Sequence, residues 1–223
     1  HMYMYMYMYM YMYGLLMSMG TMDGQKKAYP ERRPFVLTRA FFSGSQRYAA
    51  VWTGDNKASW AHLAASTPML LSLSVAGIPF VGADVGGFFG NPDPALLVRW
   101  YQVAAFHPFL RAHAEFKTKR REPWLFGEAI TRQVSVALRL RYSLLPYLYT
   151  LFAQHAADGA LHEFAKAGFI RVSDIEVRTA DEFLDLVVEI IVLDDEILGM
   201  ARTTDDDAFH IRNQRQPVGI RVF

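Results

Sequence analysis

The sequence predicts an α/β fold in which helices cover both faces of a parallel sheet. Between residues 34 and 157, short runs such as "PFVL", "YAAVW" and "GIPFVG" alternate with longer stretches of helical character. The short runs are apolar throughout, which is typical of parallel strands buried on both sides. Strands that alternate with helices along a chain indicate βαβ units, and these build parallel sheets.

Polar side chains stand just past these apolar runs. Arg39, Asp55, Asp84 and His113 follow one another at spacings of 16, 29 and 29 residues. A βαβ repeat is ~30 residues long, and the shorter first spacing suits a short connection, so each residue matches the end of a successive strand. Parallel folds keep their active sites at the carboxyl ends of the strands. We therefore expect these four side chains to converge, although Asp55 in "TGDN" also suits an ordinary turn.

The stretches between the strands carry helix signals. "ASWAHLAASTPMLLSLSV" is one helix, and Asp93 followed by Pro94 is the N-cap and first residue predicted for "ALLVRWYQVAAF". A long helix is predicted from about Glu128 to Ala157, with a kink at Pro146. The basic run "KTKRRE", residues 117–122, is interpreted as a solvated loop.

Composition excludes several classes of protein. The 223 residues carry a net charge of +1, which gives no overall basic character for nucleic acid. With no cysteine, the chain has no disulfide framework, thiolate nucleophile or cysteine zinc site. No apolar run reaches the ~18–20 residues that span a bilayer.

Three segments of different character are expected. Residues 1–13, "HMYMYMYMYMYMY", form a low-complexity Met/Tyr repeat, whose alternation fits a strand by period but with two apolar faces. Residues 14–157 form the main α/β domain. Residues 158–223 are an acidic tail of unknown type, with Thr179 and Glu182 as a capping box. One role that stays open for this tail is to bind a partner through its acidic surface.

Three long runs resemble glycoside hydrolase family 31. They are "RPFVLTRAFFSGSQRYAAVWTGDN", "GADVGGFFGNPDPALLVRWYQ" and "FLRAHAEFKTKRREPWLF", and the likeness extends from about residue 13 to 155. Within the family, it is greatest for the neutral α-glucosidases. The resemblance implies the carboxy-terminal half, about strands five to eight, of a (β/α)8 barrel. Those strands would begin near Phe35, Ala49, Ile78 and Phe109.

The resemblance also implies residue roles. Asp55 matches the general acid/base, and the substrate-binding residues it implies are Arg39, Trp52, Asp84, Phe88 and His113. From the residues alone, other roles stay open: Asp84 as a support for its loop, His113 as a core histidine, and Arg39 as a buried ion-pair partner of Asp55 or Asp84.

A retaining glycosidase needs two carboxyl groups about 5–5.5 Å apart. The family's nucleophile motif, of the type Trp-x-Asp-Met-Asn-Glu-Pro, does not occur in the 223 residues. We therefore expect an α-glucosidase by family that is inactive as this chain alone; the alternative is a non-catalytic product that binds sugar weakly or binds a protein.

The resemblance implies no metal and no organic cofactor. It implies an oligosaccharide substrate, N-glycan trimming, a regulatory β-subunit as partner and location in the lumen of the endoplasmic reticulum. The sequence itself shows no targeting signal, membrane span or nucleic-acid site.

Overall fold

The computed structural model describes residues 2–158, with side chains from Met12 to Ala157. All of them lie in the first compact unit of the chain, His1–Ala180. The expectations for the acidic tail, including the capping box at Thr179 and Glu182, fall outside the described residues.

A parallel sheet organises the described part of the chain. Its strands are β1 (Leu37–Thr38), β2 (Ala50–Trp52) and β3 (Val81–Gly82), in the order β1-β2-β3. Leu37 pairs with Ala50, and Val51 pairs with Val81, both in parallel register. The parallel sheet predicted from the apolar runs is thereby confirmed.

A fourth extended segment, residues 109–111, continues the sheet beyond β3. The Phe109 N–H donates to the Val81 carbonyl at 3.1 Å, and Asp84 forms a parallel bridge with Arg111. A Cβ added to Gly82 would lie 2.0 Å from the Phe109 carbonyl oxygen. Glycine at this position therefore permits the close approach of the two chain segments.

Within residues 2–158, four helices accompany the strands: α1 (Met2–Ala28), α2 (Trp60–Val75), α3 (Pro94–Ala104) and α4 (Glu128–Asp158). Short 3-10 turns lie at Ser45–Arg47 and Pro123–Phe126. As predicted, Asp93 caps α3: its side chain accepts from the Leu96 N–H at 2.8 Å, and Pro94 is the first helical residue. Helix α4 continues past Pro146.

The Met/Tyr repeat is helical rather than extended. It forms one continuous helix with the residues that follow it, as far as Ala28. Since both residue types are apolar, the alternation marks no distinct face and cannot distinguish a strand from a helix. Gly14 of this helix lies against Ala40, whose carbonyl oxygen would be 2.2 Å from an added Cβ.

The core lies between the sheet and its helices. Val51 and Val81 of the sheet, Leu63 of α2, and Leu97 and Trp100 of α3 have no exposed surface. Burying an aliphatic side chain of this size stabilises the fold by about 1.5–3 kcal/mol. The core therefore fixes the strands whose ends carry the candidate site.

Arg141 of α4 fixes the chain between α3 and the fourth segment. Its guanidinium donates to the carbonyls of Ala105 at 3.2 Å, His107 at 2.5 Å and Pro108 at 3.1 Å. These carbonyls follow the end of α3, where backbone acceptors lack partners within the helix. Arg141 therefore positions the turn that leads into residues 109–111.

Candidate active site

The four polar residues predicted from strand ends all lie at the carboxyl edge of the sheet. Arg39 directly follows β1, Asp55 comes three residues after β2, and Asp84 comes two residues after β3. His113 follows the fourth segment by two residues. The parallel register of the strands explains why these residues leave the sheet in the same direction.

Asp55 and Arg39 form the open part of this edge. The Arg39 Nη1 atom lies 3.5 Å from Asp55 Oδ2, with 65% of the Arg39 side chain and 28% of the Asp55 side chain exposed. An exposed ion pair of this length contributes little to stability. The Asp55 carboxyl is therefore accessible to a ligand rather than locked into the fold.

Asp84 is the buried residue at the carboxyl edge of the sheet. Its side chain is 0% exposed, and Oδ1 accepts from Arg111 Nε at 2.8 Å. Its Oδ2 atom is buried without a hydrogen-bond partner. Burial raises the pKa of the Asp84 carboxyl, while the charge of Arg111 opposes the rise. The charges of His113 and Asp55 also act on this carboxyl, so these strand-end groups share one electrostatic environment.

Arg111 is a site residue that the sequence reasoning missed. Besides holding Asp84, its guanidinium lies over the Trp52 ring, 4.7 Å from the centroid. The Nε1 atom of Trp52 is buried without a partner. Residues two apart in an extended segment project to the same side, so the alternation from His113 back to Arg111 was a usable signal.

Phe88 and His113 meet across the site. Their rings are 5.4 Å apart between centroids and tilted by 37°. His113 is exposed, so the alternative that it is a core histidine is wrong. The core histidine is His107, which is 4% exposed, and burial together with the charge of Arg141 lowers its pKa to about 3.

Asn56 also escaped the sequence reasoning. Its Nδ2 atom donates to the Asp84 carbonyl at 3.0 Å, and its Oδ1 atom accepts from the Phe88 N–H at 2.8 Å. The residue next to Asp55 is therefore bonded to the loop that carries Asp84 and Phe88. Its place in "GDN" suggested only a turn, because the partners lie 28 and 32 residues away.

The arrangement offers an accessible carboxyl group, cationic hydrogen-bond donors and two aromatic faces. Such groups suit proton transfer to a polar ligand and recognition of its hydroxyls. Within residues 2–158, no cluster of three or more metal-ligating side chains occurs. In the same part of the chain, no helix has the length and hydropathy needed to cross a membrane.

A parallel sheet with polar side chains at the carboxyl ends of its strands is the arrangement in which α/β enzymes place their active sites. A family model described as "Glycosyl hydrolases family 31 TIM-barrel domain" matches residues 2–151. The chain belongs to this family, which confirms the resemblance read from its sequence. The match includes the Met/Tyr repeat, where the motifs alone indicated a start near residue 13.

Two curated relatives are α-glucosidases by name. The chain is 60% identical over 147 residues to "Probable glucan 1,3-alpha-glucosidase" of Oryza sativa subsp. japonica, covering 66% of this chain and 16% of the relative. It is 61% identical over 140 residues to "Neutral alpha-glucosidase C" of Mus musculus, covering 62% and 16%. The chain thus spans only 16% of the length of these curated relatives.

Solved structures of α-glucosidases have a similar fold. The Tris-bound "glucosidase II alpha subunit" is 55% identical, with a TM-score of 0.65, over 67% of this chain and 16% of that one. A "Family 31 alpha-glucosidase from Bacteroides thetaiotaomicron" is 48% identical, with a TM-score of 0.60, over 70% and 25%. The described fold is therefore that of a segment of family 31 enzymes.

Proposed function

We propose that this chain supplies the acid/base side of a retaining α-glucosidase site. The substrate class is an oligosaccharide with a terminal α-linked glucose. The observation that carries the proposal is the accessible carboxyl of Asp55 at the carboxyl edge of the sheet, 3.5 Å from Arg39 and electrostatically linked to buried Asp84. The names of the relatives support the same activity.

Asp55 is the proposed general acid and base. In the first step of a retaining mechanism, a carboxylic acid gives its proton to the departing glycosidic oxygen while a second carboxylate attacks the anomeric carbon. In the second step, the same group takes a proton from water, and that water releases the sugar. The exposure of Asp55 allows a glycosidic oxygen to reach it.

The remaining site residues are proposed to bind the glucose. Arg39 and His113 donate hydrogen bonds to its hydroxyls, while Trp52 and Phe88 offer aromatic surface. Asp84 contributes through its Arg111 pair or through its unpartnered Oδ2 atom. Contacts that strengthen as the ring approaches the transition state raise the rate rather than merely tighten binding.

We further propose that β1, β2, β3 and residues 109–111 are strands five to eight of the barrel. In that arrangement, the nucleophile belongs to strand four and approaches the far face of the sugar. Asp84 is poorly placed to act as the nucleophile, because it follows the strand next to that of Asp55 and is bound to Arg111. The 223-residue chain by itself is therefore expected to show no α-glucosidase turnover.

The cellular role is inferred from relatives. One solved neighbour is an "ER glucosidase II heterodimeric complex consisting of catalytic subunit and the binding domain of regulatory subunit", 55% identical with a TM-score of 0.65. By this likeness we propose N-glycan trimming in the endoplasmic reticulum and a regulatory β-subunit as partner.

Chemical rescue tests the proposal. Azide supplied with phenyl α-glucoside attacks the anomeric carbon, the bond to the phenolic oxygen breaks, and Asp55 gives its proton to that oxygen. We expect a trace of glucosyl azide from the chain, reduced about 10²–10⁴-fold in Asp55→Asn, the range of general acid catalysis.

Asp93→Asn is the matched control, because asparagine caps a helix as well as aspartate does. It should leave the azide product unchanged. Absence of any azide product would count against a functional acid/base in this chain. Glucose release without azide would instead show that the chain already holds a nucleophile.

A further inference from the structure

The loop that follows β3, residues 84–90, needs support from outside. We call it the β3 loop; it carries Asp84 and Phe88. Gly86, Gly87 and Gly90 have φ angles of 88°, 85° and 80°. Glycine adopts this backbone without steric cost but loses much conformational freedom when it is fixed. Contacts with other segments must therefore hold the loop in one conformation.

Asn56 holds the loop from the side of β2. Its side chain bonds both the Asp84 carbonyl and the Phe88 N–H, so it spans the first five residues of the loop. Its own carbonyl accepts from the Phe88 N–H at 2.8 Å and the Phe89 N–H at 2.9 Å. Asn56 follows Asp55 directly, and these bonds therefore tie the loop to the proposed acid/base.

Arg121, which lies in the basic run of residues 117–122, also binds the β3 loop. Its Nη1 atom donates to the carbonyls of Gly86, at 3.2 Å, and Gly87, and its Nη2 atom donates to the Gly90 carbonyl at 2.7 Å. The residue is 8% exposed, which contradicts the interpretation of residues 117–122 as wholly solvated.

The charge of Arg121 is compensated by backbone carbonyls rather than by a carboxylate among the described residues. Among the described residues, no carboxylate forms an ion pair with it, and burial lowers its pKa from the ordinary value. Burying a cation is costly unless polar groups compensate. Here backbone carbonyls of the β3 loop compensate, so the charge serves the conformation of that loop.

We propose that Asn56 and Arg121 are positioning residues that together fix the β3 loop, and thereby place Asp84 and Phe88 opposite Asp55 and His113. Asn56 acts on residues 84–89, and Arg121 acts on residues 86–90. The sugar-binding role of the loop rests on the proposed function above, but its fixation by these two residues does not.

Proteolysis of the 223-residue chain measures the fixation. Chymotrypsin cleaves after aromatic residues, so opening of the loop exposes the Phe88 and Phe89 peptide bonds. In Asn56→Ala and Arg121→Met, we expect cleavage there to rise at least about tenfold relative to cleavage elsewhere, the factor that corresponds to 1.4 kcal/mol. Lys57→Gln and Arg120→Gln, both exposed neighbours, should cleave like the unchanged chain.

NMR resonances of the histidine rings distinguish a displaced β3 loop from a general loss of structure. The Phe88 ring, 5.4 Å from that of His113, shifts the proton resonances of the His113 ring. His113→Gln assigns these resonances in the NMR spectrum. Asn56→Ala and Arg121→Met should move them towards free-histidine positions, while the buried His107 signals remain in place.

Conservative variants test the bonding itself. Arg121→Lys keeps the charge but lacks the planar fork that reaches three carbonyls, so loop cleavage should stay elevated. Asn56→Asp keeps the acceptor for the Phe88 N–H and loses the donor to Asp84, so an intermediate effect is expected. These milder variants also decide the matter if Arg121→Met does not fold.

Unchanged cleavage and unchanged His113 resonances in folded Asn56→Ala and Arg121 variants would overturn the proposal. Full rescue by Arg121→Lys would overturn the role assigned to its hydrogen bonds. Addition of methyl α-glucoside to the unchanged chain tests the proposed function separately. If the sugar leaves His113 unperturbed, the sugar site fails, while the loop measurements still stand.

Discussion

Arg111 Nε donates to Asp84 Oδ1 at 2.8 Å, and this bond joins a carboxylate with no exposed surface to an arginine whose side chain is 25% exposed. The same guanidinium lies over the Trp52 ring. One cation therefore links residues 109–111 to the loop after β3 and to the end of β2. The pair explains how a buried carboxylate is accommodated at the edge of the site.

Replacing Asp84 by Asn should destabilise the chain by about 2–3 kcal/mol. Removing one partner of a buried ion pair costs about 3–5 kcal/mol, and the partial exposure of Arg111 reduces this. Urea denaturation followed by circular dichroism measures the change. Asp93→Asn, at the exposed cap of α3, serves as control and should stay within about 0.5 kcal/mol of the unchanged chain.

His107 makes stability depend on pH. Its pKa is about 3 in the folded chain and about 6.5 when unfolded. Below pH 6.5 the unfolded chain binds the proton more readily, so stability falls as the pH drops towards 3. Between pH 7 and 4.5, His107 should account for a loss of about 2–3 kcal/mol.

Urea midpoints across this pH range check the prediction, with His107→Phe flattening the profile. Replacement of exposed His62 by Gln is the control and should leave it unchanged. Equal slopes for the unchanged chain and His107→Phe would show that His107 does not cause the dependence.

Arg141→Met should destabilise the fold by about 3 kcal/mol. The change leaves the carbonyls of Ala105, His107 and Pro108 without their donor, and each unsatisfied buried group costs about 1–3 kcal/mol. Thermal or urea unfolding measures the loss. Arg139→Met, an exposed neighbour on α4, should be near neutral; similar losses in both variants would point to helix propensity instead.

The 223-residue chain should self-associate. Within residues 2–158, β1 pairs only with β2, and Phe35 and Phe42 beside it are 51% and 44% exposed. Unpaired strand edges with apolar neighbours promote edge-to-edge association. Light scattering should therefore detect oligomers, which Phe42→Lys reduces and Phe116→Lys does not. A monodisperse monomer with a sharp thermal transition is the result that contradicts this prediction.

The strands and the strand-end site were accessible from sequence because they depend on local patterns. Uninterrupted apolar runs predicted a parallel sheet, and Asp93 with Pro94 predicted the start of α3. Asn56 and Arg121 could not be recognised in the same way, and for Arg111 only its alternation with His113 gave a signal. Their roles depend on backbone carbonyls or side chains about 30 residues away, and only the tertiary arrangement brings these together.

The repeat failed as a secondary-structure signal for a different reason. A pattern of period two indicates a strand only when one residue of each pair is polar. In the Met/Tyr run both residues of each pair are apolar, and the helix that the run forms continues through Gly14, which meets Ala40, as far as Ala28.

That contact has a consequence for variation in repeat number. Helix α1 is anchored through Gly14, after the last Met–Tyr pair, so gain or loss of a pair changes only the part of the helix that precedes the anchor. Each pair adds ~3 Å to the helix, at ~1.5 Å per residue. Replication slippage in this tract would thus change the length of α1 before Gly14, while the register of the residues after Gly14 is preserved.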